Sequence, residues 1–398
     1  MIKKSFFLLT VFLLSLNTEA QNALNSEAFD IAQRFMAKKG ITLVNDDKAA
    51  TRGNAEPYSI FSGEDGKGFA IVSNGVVVGY STNNSCDINF LSLGTAKQSF
   101  KLSPKSPIDF LIKAEWGQGE PYNWQTPMVL NEETGSYENA VTGCSATALA
   151  QIMYYYKIEK CKAIEEFVYN GVKKLDALPE TNFEWNAILP KYIPGEYTEE
   201  QGQAVAKLLK YCGYSLRSSY GHYNTFGGMD LDLIKKCFDI SDESYQSYTE
   251  DGYSLVFTQF SDKELEAFMD NELEKGRPLI MSANNKEGRG AHAYIIDGRD
   301  DTGRYHVNCG WGGKNNGYYI MSQELFMAEE ETDGVLDRLG SPFFTVIIMP
   351  KGWTDINPIE VEGTKKQIYN LQGLKVGDKL EGLTKGIYIK DGKKVIIK

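Results

Sequence analysis

Val141-Thr142-Gly143-Cys144-Ser145-Ala146-Thr147-Ala148-Leu149-Ala150-Gln151-Ile152-Met153-Tyr154-Tyr155-Tyr156 is the stretch on which the reading of this chain turns. From Cys144 to Tyr169 there is neither Gly nor Pro, and Ala146, Leu149, Met153 and Tyr156 recur with a 3.6-residue period, so the spacing predicts a long helix opening at Cys144. Gly143 lets the chain turn sharply into it. A cysteine in that first turn faces unpaired N–H groups and the positive end of the helix dipole, which favour the thiolate, and the thiolate is the nucleophile. Alone the signal is weak, because most single cysteines are small buried apolar side chains.

Working outward, the search for a partner base is short, since the chain has three histidines, His222, His292 and His306. His292 heads an apolar run, Ala291-His292-Ala293-Tyr294-Ile295-Ile296-Asp297, reached through Gly288-Arg289-Gly290. Asn308 lies in His306-Val307-Asn308-Cys309-Gly310-Trp311-Gly312-Gly313, across the Asp300-Asp301-Thr302-Gly303 turn, so a hairpin is expected to bring its carboxamide to the imidazole. Cysteine, histidine and an orienting group form the activated-nucleophile pattern. Upstream, Gln118 stands between Gly117 and Gly119, where its carboxamide N–H and the Cys144 backbone N–H are candidates for an oxyanion hole. His306 shares a strand face with Asn308 only two residues away, which suits packing better than a triad. His222, in Tyr220-Gly221-His222-Tyr223-Asn224, has no partner legible in the sequence.

Taken together, glutamine, Thr-Gly-Cys opening a helix, Gly-x-His on a strand and Asn-x-Gly-Trp-Gly-Gly follow the chain order of papain-like cysteine peptidases. More closely, residues 142–155 and 306–313 resemble the streptopain family. The resemblance is clear over residues 100–325 and fainter over 21–100, where Gly68-Phe69-Ala70-Ile71-Val72-Ser73 and Val78-Gly79-Tyr80-Ser81 look like that family's propeptide. It implies an α+β, papain-like fold, with the nucleophile helix packed on an antiparallel sheet. It also implies Cys144 as nucleophile, His292 as proton partner, Gln118 as oxyanion donor, Asn308 as orienter of His292, and Trp311 as a shield over the pair, with no cofactor or metal. Cys309 departs from the pattern, where the family usually carries an aromatic, and raises the question of a second reactive thiol beside the site. The implied activity is cysteine endopeptidase action on protein substrates, from a zymogen whose propeptide is an intramolecular inhibitor. Family members favour apolar side chains two residues before the scissile bond. Capture of the same thioester by an amine, which is acyl transfer, is not separable in sequence. A non-catalytic binding protein on this fold would be expected to lack Cys144, His292 or Gln118, and all three are present.

The flanks set the organisation. Lys3 and Lys4 precede an apolar run from Phe6 to Leu16 and then Thr18-Glu19-Ala20, so residues 1–20 read as a signal peptide and the product as secreted or at the cell surface. The later sequence has no apolar run long enough to span a bilayer. Residues 21–101 are expected to form a small α+β propeptide: a helix over 26–39 ended by Gly40, then strands around an Asn74-Gly75 hairpin turn. Lys101 to Pro107 reads as a linker and 102–349 as the catalytic domain; the resemblance implies an activating cut near Lys101 to Lys105. Within it, helices are expected at Glu199 to Cys212 and at Ser261 to Lys275, the latter with Ser261 and Glu264 as a capping box. Strands are expected at Arg277 to Ser282, His292 to Asp297, Arg304 to Cys309 and Tyr318 to Ser322. Residues 350–398 are lysine-rich with short apolar runs, and are expected to form a small all-β appendage. They resemble sorting domains read by a secretion machinery, with a solubilising or docking module as the alternative.

The balance of the chain agrees with this. Its 398 residues carry 42 Lys and Arg against 53 Asp and Glu, a net charge of -11, so the basic footprint of a general nucleic-acid binder is missing. The six cysteines are scattered without a Cys-x-x-Cys or Cys/His cluster, so a structural zinc site has no support in the sequence and no disulfide pairing is assigned.

Overall fold

The computed structural model describes residues 25–45, 49–50, 58–86, 102–169, 171, 173–247, 262–284, 291–321 and 342–352, together with four strands between 368 and 397. The expected signal peptide, the Gly288–Gly290 approach to His292 and the Ser261 cap lie outside the described residues. Two compact units result, one ending at Lys351 and one covering Gly352–Lys398.

In the first unit a helix over residues 25–37 lays Ala32 and Met36 on Phe61, Ala70, Val72, Val77 and Tyr80, a small core of its own. Tyr58–Ser62, Phe69–Ser73 and Val76–Ser81 form an antiparallel meander. Its tight turn is Asn74-Gly75 with φ 48 and 73°, the left-handed pair such a two-residue loop needs. The meander does not stop at its own edge. Val76–Ser81 pairs antiparallel with Gly317–Tyr319, so one ten-stranded sheet crosses the boundary expected near residue 101. Its order is Ala49–Ala50, Tyr58–Ser62, Phe69–Ser73, Val76–Ser81, Gly317–Tyr319, Tyr305–Asn308, Ala291–Arg299, Leu279–Asn284, Pro342–Ile347 and Tyr245–Ser247. That joint was not foreseen from sequence, because pairing between distant strands leaves no local trace.

The helix opening at Cys144 runs Cys144–Tyr156 and packs on the Ala291–Arg299 strand. Every residue from Ser145 to Met153 is buried, the polar Ser145, Thr147 and Gln151 among them. It is shorter than its Gly- and Pro-free run predicts. Lys157 caps it in the left-handed conformation, its N–H bonding back to Met153 and Tyr154, and Lys160–Cys161 and Phe167–Tyr169 form short strands. A second helix, Glu199–Ser215, starts with a Thr198/Gln201 capping box and continues through Gly213, where the sequence suggested a stop. Asp262–Glu274 is helical, as expected, and Leu231–Cys237 is a short helix the sequence reading did not include. The fold is α+β and papain-like, with the helix that opens at Cys144 packed against an antiparallel sheet.

The second unit is a four-stranded antiparallel sheet in the order Lys375–Gly377, Ile368–Asn370, Gly386–Lys390, Lys393–Ile397.

Candidate active site

Gly143 has φ 85°, a backbone conformation that L side chains rarely adopt, and a Cβ there would lie 2.6 Å from the Thr225 carbonyl oxygen. The glycine is therefore required twice, by its dihedral and by its neighbour. Thr142 and Thr147 lock the same corner: their hydroxyls are 2.9 Å apart, and Thr147 also donates to the Gly143 carbonyl at 2.9 Å. Cys144 follows as the first residue of the helix, half-buried. Its sulfur is hydrogen-bonded by the backbone N–H groups of Ala293 and Ser145, which pull the thiol pKa down, but burial outweighs them and pushes it up. The helix terminus alone therefore does not make the resting thiol a thiolate, contrary to the sequence expectation.

The Ala293 N–H sets the thiol against the residue that follows His292, on the strand against which the helix packs. The His292 ring is buried, and burial lowers its pKa to about 4, opposed by a hydrogen bond to the Cys309 carbonyl. That contact, Nε2 to O at 2.9 Å, defines the tautomer: a carbonyl only accepts, so Nε2 carries the proton and Nδ1 keeps the basic lone pair. Trp311 stacks on the imidazole with centroids 4.3 Å apart at 25°.

The expected carboxamide contact is corrected here. Asn308 pairs with Ile295, and directly opposed residues share a face, so its side chain leaves the strand on the side of Ala293 and Ile295 rather than that of His292. Its Nδ2 donates to Ala114 O at 2.8 Å and to Gln151 Oε1 at 3.2 Å, and its Oδ1 accepts from Gly310 N at 3.1 Å. The group on the imidazole is the backbone carbonyl of the next residue, which composition cannot reveal. Gln118 is half-buried, and its carbonyl accepts from Thr142 N at 3.0 Å, which ties its loop to the corner before Cys144. Trp116 O accepts from Gly312 N at 2.9 Å, so the Gln118 and Trp311 loops are joined as well.

His306 stands apart. Its Nδ1 meets Asp297 Oδ1 at 2.6 Å and its ring stacks on Phe110, with Asp297 fully buried. His222 has an acidic neighbour that the sequence did not show, Glu138 Oε2 at 3.5 Å. Cys309 is buried, its thiol donates to Asn315 O at 3.6 Å, and burial pushes its pKa up, so it is kept as a thiol rather than a second nucleophile. Among the described residues no group of three or more His, Cys, Asp or Glu side chains is placed to hold a metal ion.

The N-terminal part of the chain reaches the same loop. Asn315 N donates to Ser85 O at 2.9 Å, Ile320 N donates to Val78 O at 2.9 Å, and the Tyr80 hydroxyl donates to Asp300 Oδ2 at 2.8 Å. Arg304 Nε donates to Val77 O at 3.1 Å, and Tyr80 stacks on Tyr318 with centroids 5.3 Å apart.

Fold and residue order define a cysteine-type peptidase, and the comparisons say which kind. The Peptidase C10 family model matches residues 116–319, and the chain belongs to that family. It is similar to streptopain of Streptococcus pyogenes, with 31% identity over 307 residues covering 67% of this chain and 74% of that protein. It is also similar to the thiol protease/hemagglutinin PrtT of Porphyromonas gingivalis, with 26% identity over 215 residues, 52% of this chain and 23% of that protein. Among solved structures, a prointerpain A fragment of Prevotella intermedia superposes with a TM-score of 0.57 at 21% identity, covering 77% of this chain and 98% of the fragment.

Proposed function

We propose that the chain is the latent precursor of an exported cysteine endopeptidase in which Cys144 and His292 do the covalent chemistry. The observation that carries this is the held imidazole: Nε2 is occupied by the Cys309 carbonyl, Nδ1 is left basic, and the Cys144 thiol lies against the next residue of the same strand. In the reaction, Nδ1 takes the thiol proton and the thiolate attacks the substrate carbonyl. The oxyanion is held by the Cys144 N–H and the Gln118 carboxamide. The imidazolium then protonates the leaving amine as the C–N bond breaks, leaving a thioester. Water, deprotonated by His292, attacks the thioester, and the C–S bond breaks to release the acid and restore the thiol. Trp311 covers the imidazole and lowers the local dielectric, which strengthens the thiolate–imidazolium attraction.

Incubating the processed chain with casein, with and without an added amine, tests the reaction type. New carboxyl termini in both samples support the hydrolase, whereas amine-capped fragments as the main product support acyl transfer. Gln118→Ala is expected to lower kcat about 10²–10³-fold with KM nearly unchanged, because the lost contact forms only as the oxyanion does. Steady-state kinetics on a peptide substrate checks it.

Latency is assigned to residues 21–101, removed near Lys101–Lys105, leaving 102–349 as the catalytic part. Three features support it: the shared sheet, the contact of Ser85 with Asn315 on the loop that carries Trp311, and burial that favours a neutral thiol and a neutral imidazole in the full chain. At the joint, a Cβ on Gly79 would lie 2.6 and 2.7 Å from Tyr319 ring atoms. Overpacking of this kind costs ~1–3 kcal/mol, or about 5–150-fold in the docked-to-released ratio. Gly79→Val precursor is therefore expected to hydrolyse peptide and label at Cys144 faster than wild-type precursor by about that factor. Equal rates would argue against the joint as the latch. Export rests on residues 1–20, and the second unit is assigned as the part recognised by a secretion machinery. Among the described residues, no helix is long and apolar enough to cross a membrane.

A further inference from the structure

Gln151 lies seven residues beyond Cys144, on the same face of the same helix, and is fully buried. A buried carboxamide needs partners, and here each one belongs to a different part of the site. Its Oε1 accepts from Trp116 N at 3.3 Å, on the segment that leads to Gln118. The same oxygen accepts from Asn308 Nδ2 at 3.2 Å, and its Nε2 donates back to Asn308 Oδ1 at 3.4 Å, so the two amides bond reciprocally. Asn308 in turn holds Gly310 N and Ala114 O, which flank the two loops. Three separate segments thus meet on one side chain: the oxyanion loop, the nucleophile helix and the turn whose Cys309 carbonyl fixes the His292 tautomer.

We propose that Gln151 is a positioning residue for catalysis, acting through Asn308 to aim the Cys309 carbonyl at His292 and through Trp116 to set the Gln118 loop. The proposal rests on the assignment of Cys144 and His292 as the reacting pair. Loss of the amide leaves the reacting atoms in place but misaims them, and misplacement of about 1 Å costs about 10²-fold in rate.

Two variants test it. Gln151→Met keeps the volume and removes both polar ends. Gln151→Glu is isosteric: as a neutral acid its carbonyl accepts from Trp116 and Asn308 while its O–H donates to Asn308 Oδ1, whereas the carboxylate sets an acceptor against an acceptor. Burial keeps such a carboxyl protonated well above its ordinary range. After processing of the full chain with wild-type enzyme, Gln151→Met is expected to lose about 10–100-fold in kcat, with KM changed less than about twofold. Gln151→Glu is expected to approach wild type at acid pH and fall away as pH rises. In the same processed chain, iodoacetamide alkylation of Cys144, followed by mass spectrometry of its peptide, is expected to have its acid limb moved to higher pH in Gln151→Met, because a misaimed imidazole supports the thiolate less well.

If both variants lose only thermal stability while kcat and the alkylation limb match wild type, Gln151 is a packing residue and the proposal is overturned. A Gln151→Glu deficit that is independent of pH overturns it too. Should Gln151→Met not fold, the pH profile of Gln151→Glu decides alone. An active Cys144→Ala would instead overturn the underlying pair, a result separable from any seen at position 151.

Discussion

Cys144→Ala is expected to lower kcat/KM on protein substrates by about 10⁴-fold or more and to leave the precursor unprocessed. The size follows from the mechanism, because without the sulfur no thioester forms and the remaining groups can only bind substrate and polarise it. Folding should survive. The residue is half-buried, its replacement is smaller, and the corner before it is held by Gly143, Thr142 and Thr147 rather than by the thiol. Peptide kinetics and gel analysis of the expressed chain check both halves, and a melting temperature close to wild type separates loss of chemistry from loss of structure.

His292→Asn is the second large effect, expected at about 10³–10⁴-fold in kcat because one group serves as both base and acid. It also has a thermodynamic signature. Burial holds the folded-state pKa of His292 at about 4, below its ordinary value of 6.5. Between these values the unfolded chain binds the proton and the folded chain does not, so stability rises with pH across the window. The contribution is complete above about pH 6.5 and is lost as pH falls to 4, by about 3 kcal/mol at most. The precursor is therefore expected to lose melting temperature on acidification from pH 6.5 to 4 more steeply than His292→Asn precursor does. Parallel curves would mean that His292 is not held neutral by its surroundings. In the proposed activation, removal of residues 21–101 and formation of the thiolate would give the imidazolium an anionic neighbour, which raises its pKa back toward the range that catalysis needs.

The parts of this site that were legible in sequence are those where chemistry and local backbone coincide. Gly143-Cys144 announces itself because only glycine suits a φ of 85° against Thr225, and the apolar period after it marks a helix. His292 stands out as a candidate because the chain has only three imidazoles, and His306, whose spacing suits packing, meets Asp297. Asn308 was misjudged because its role depends on register: pairing with Ile295 turns the carboxamide toward Gln151 and hands the imidazole to a main-chain carbonyl. Backbone acceptors are anonymous in sequence. The same limit hid the joint between Val76–Ser81 and Gly317–Tyr319, since each strand reads only as a strand, and it hid Gln151, which looked like one more residue of a buried helix. The early end of that helix at Lys157 also had no local sign, because neither Gly nor Pro stops it.

Covalent labelling tests the central claim most directly. A thiol-directed peptide epoxide is incubated with the processed chain, and the adduct is mapped by mass spectrometry. The account predicts one adduct, on Cys144, that is absent from Cys144→Ala, is strongly slowed in His292→Asn, and blocks proteolysis in proportion to its yield. A processed wild-type chain that neither labels nor cleaves protein, or one whose adduct falls on Cys309 or another thiol while activity is lost, would contradict it.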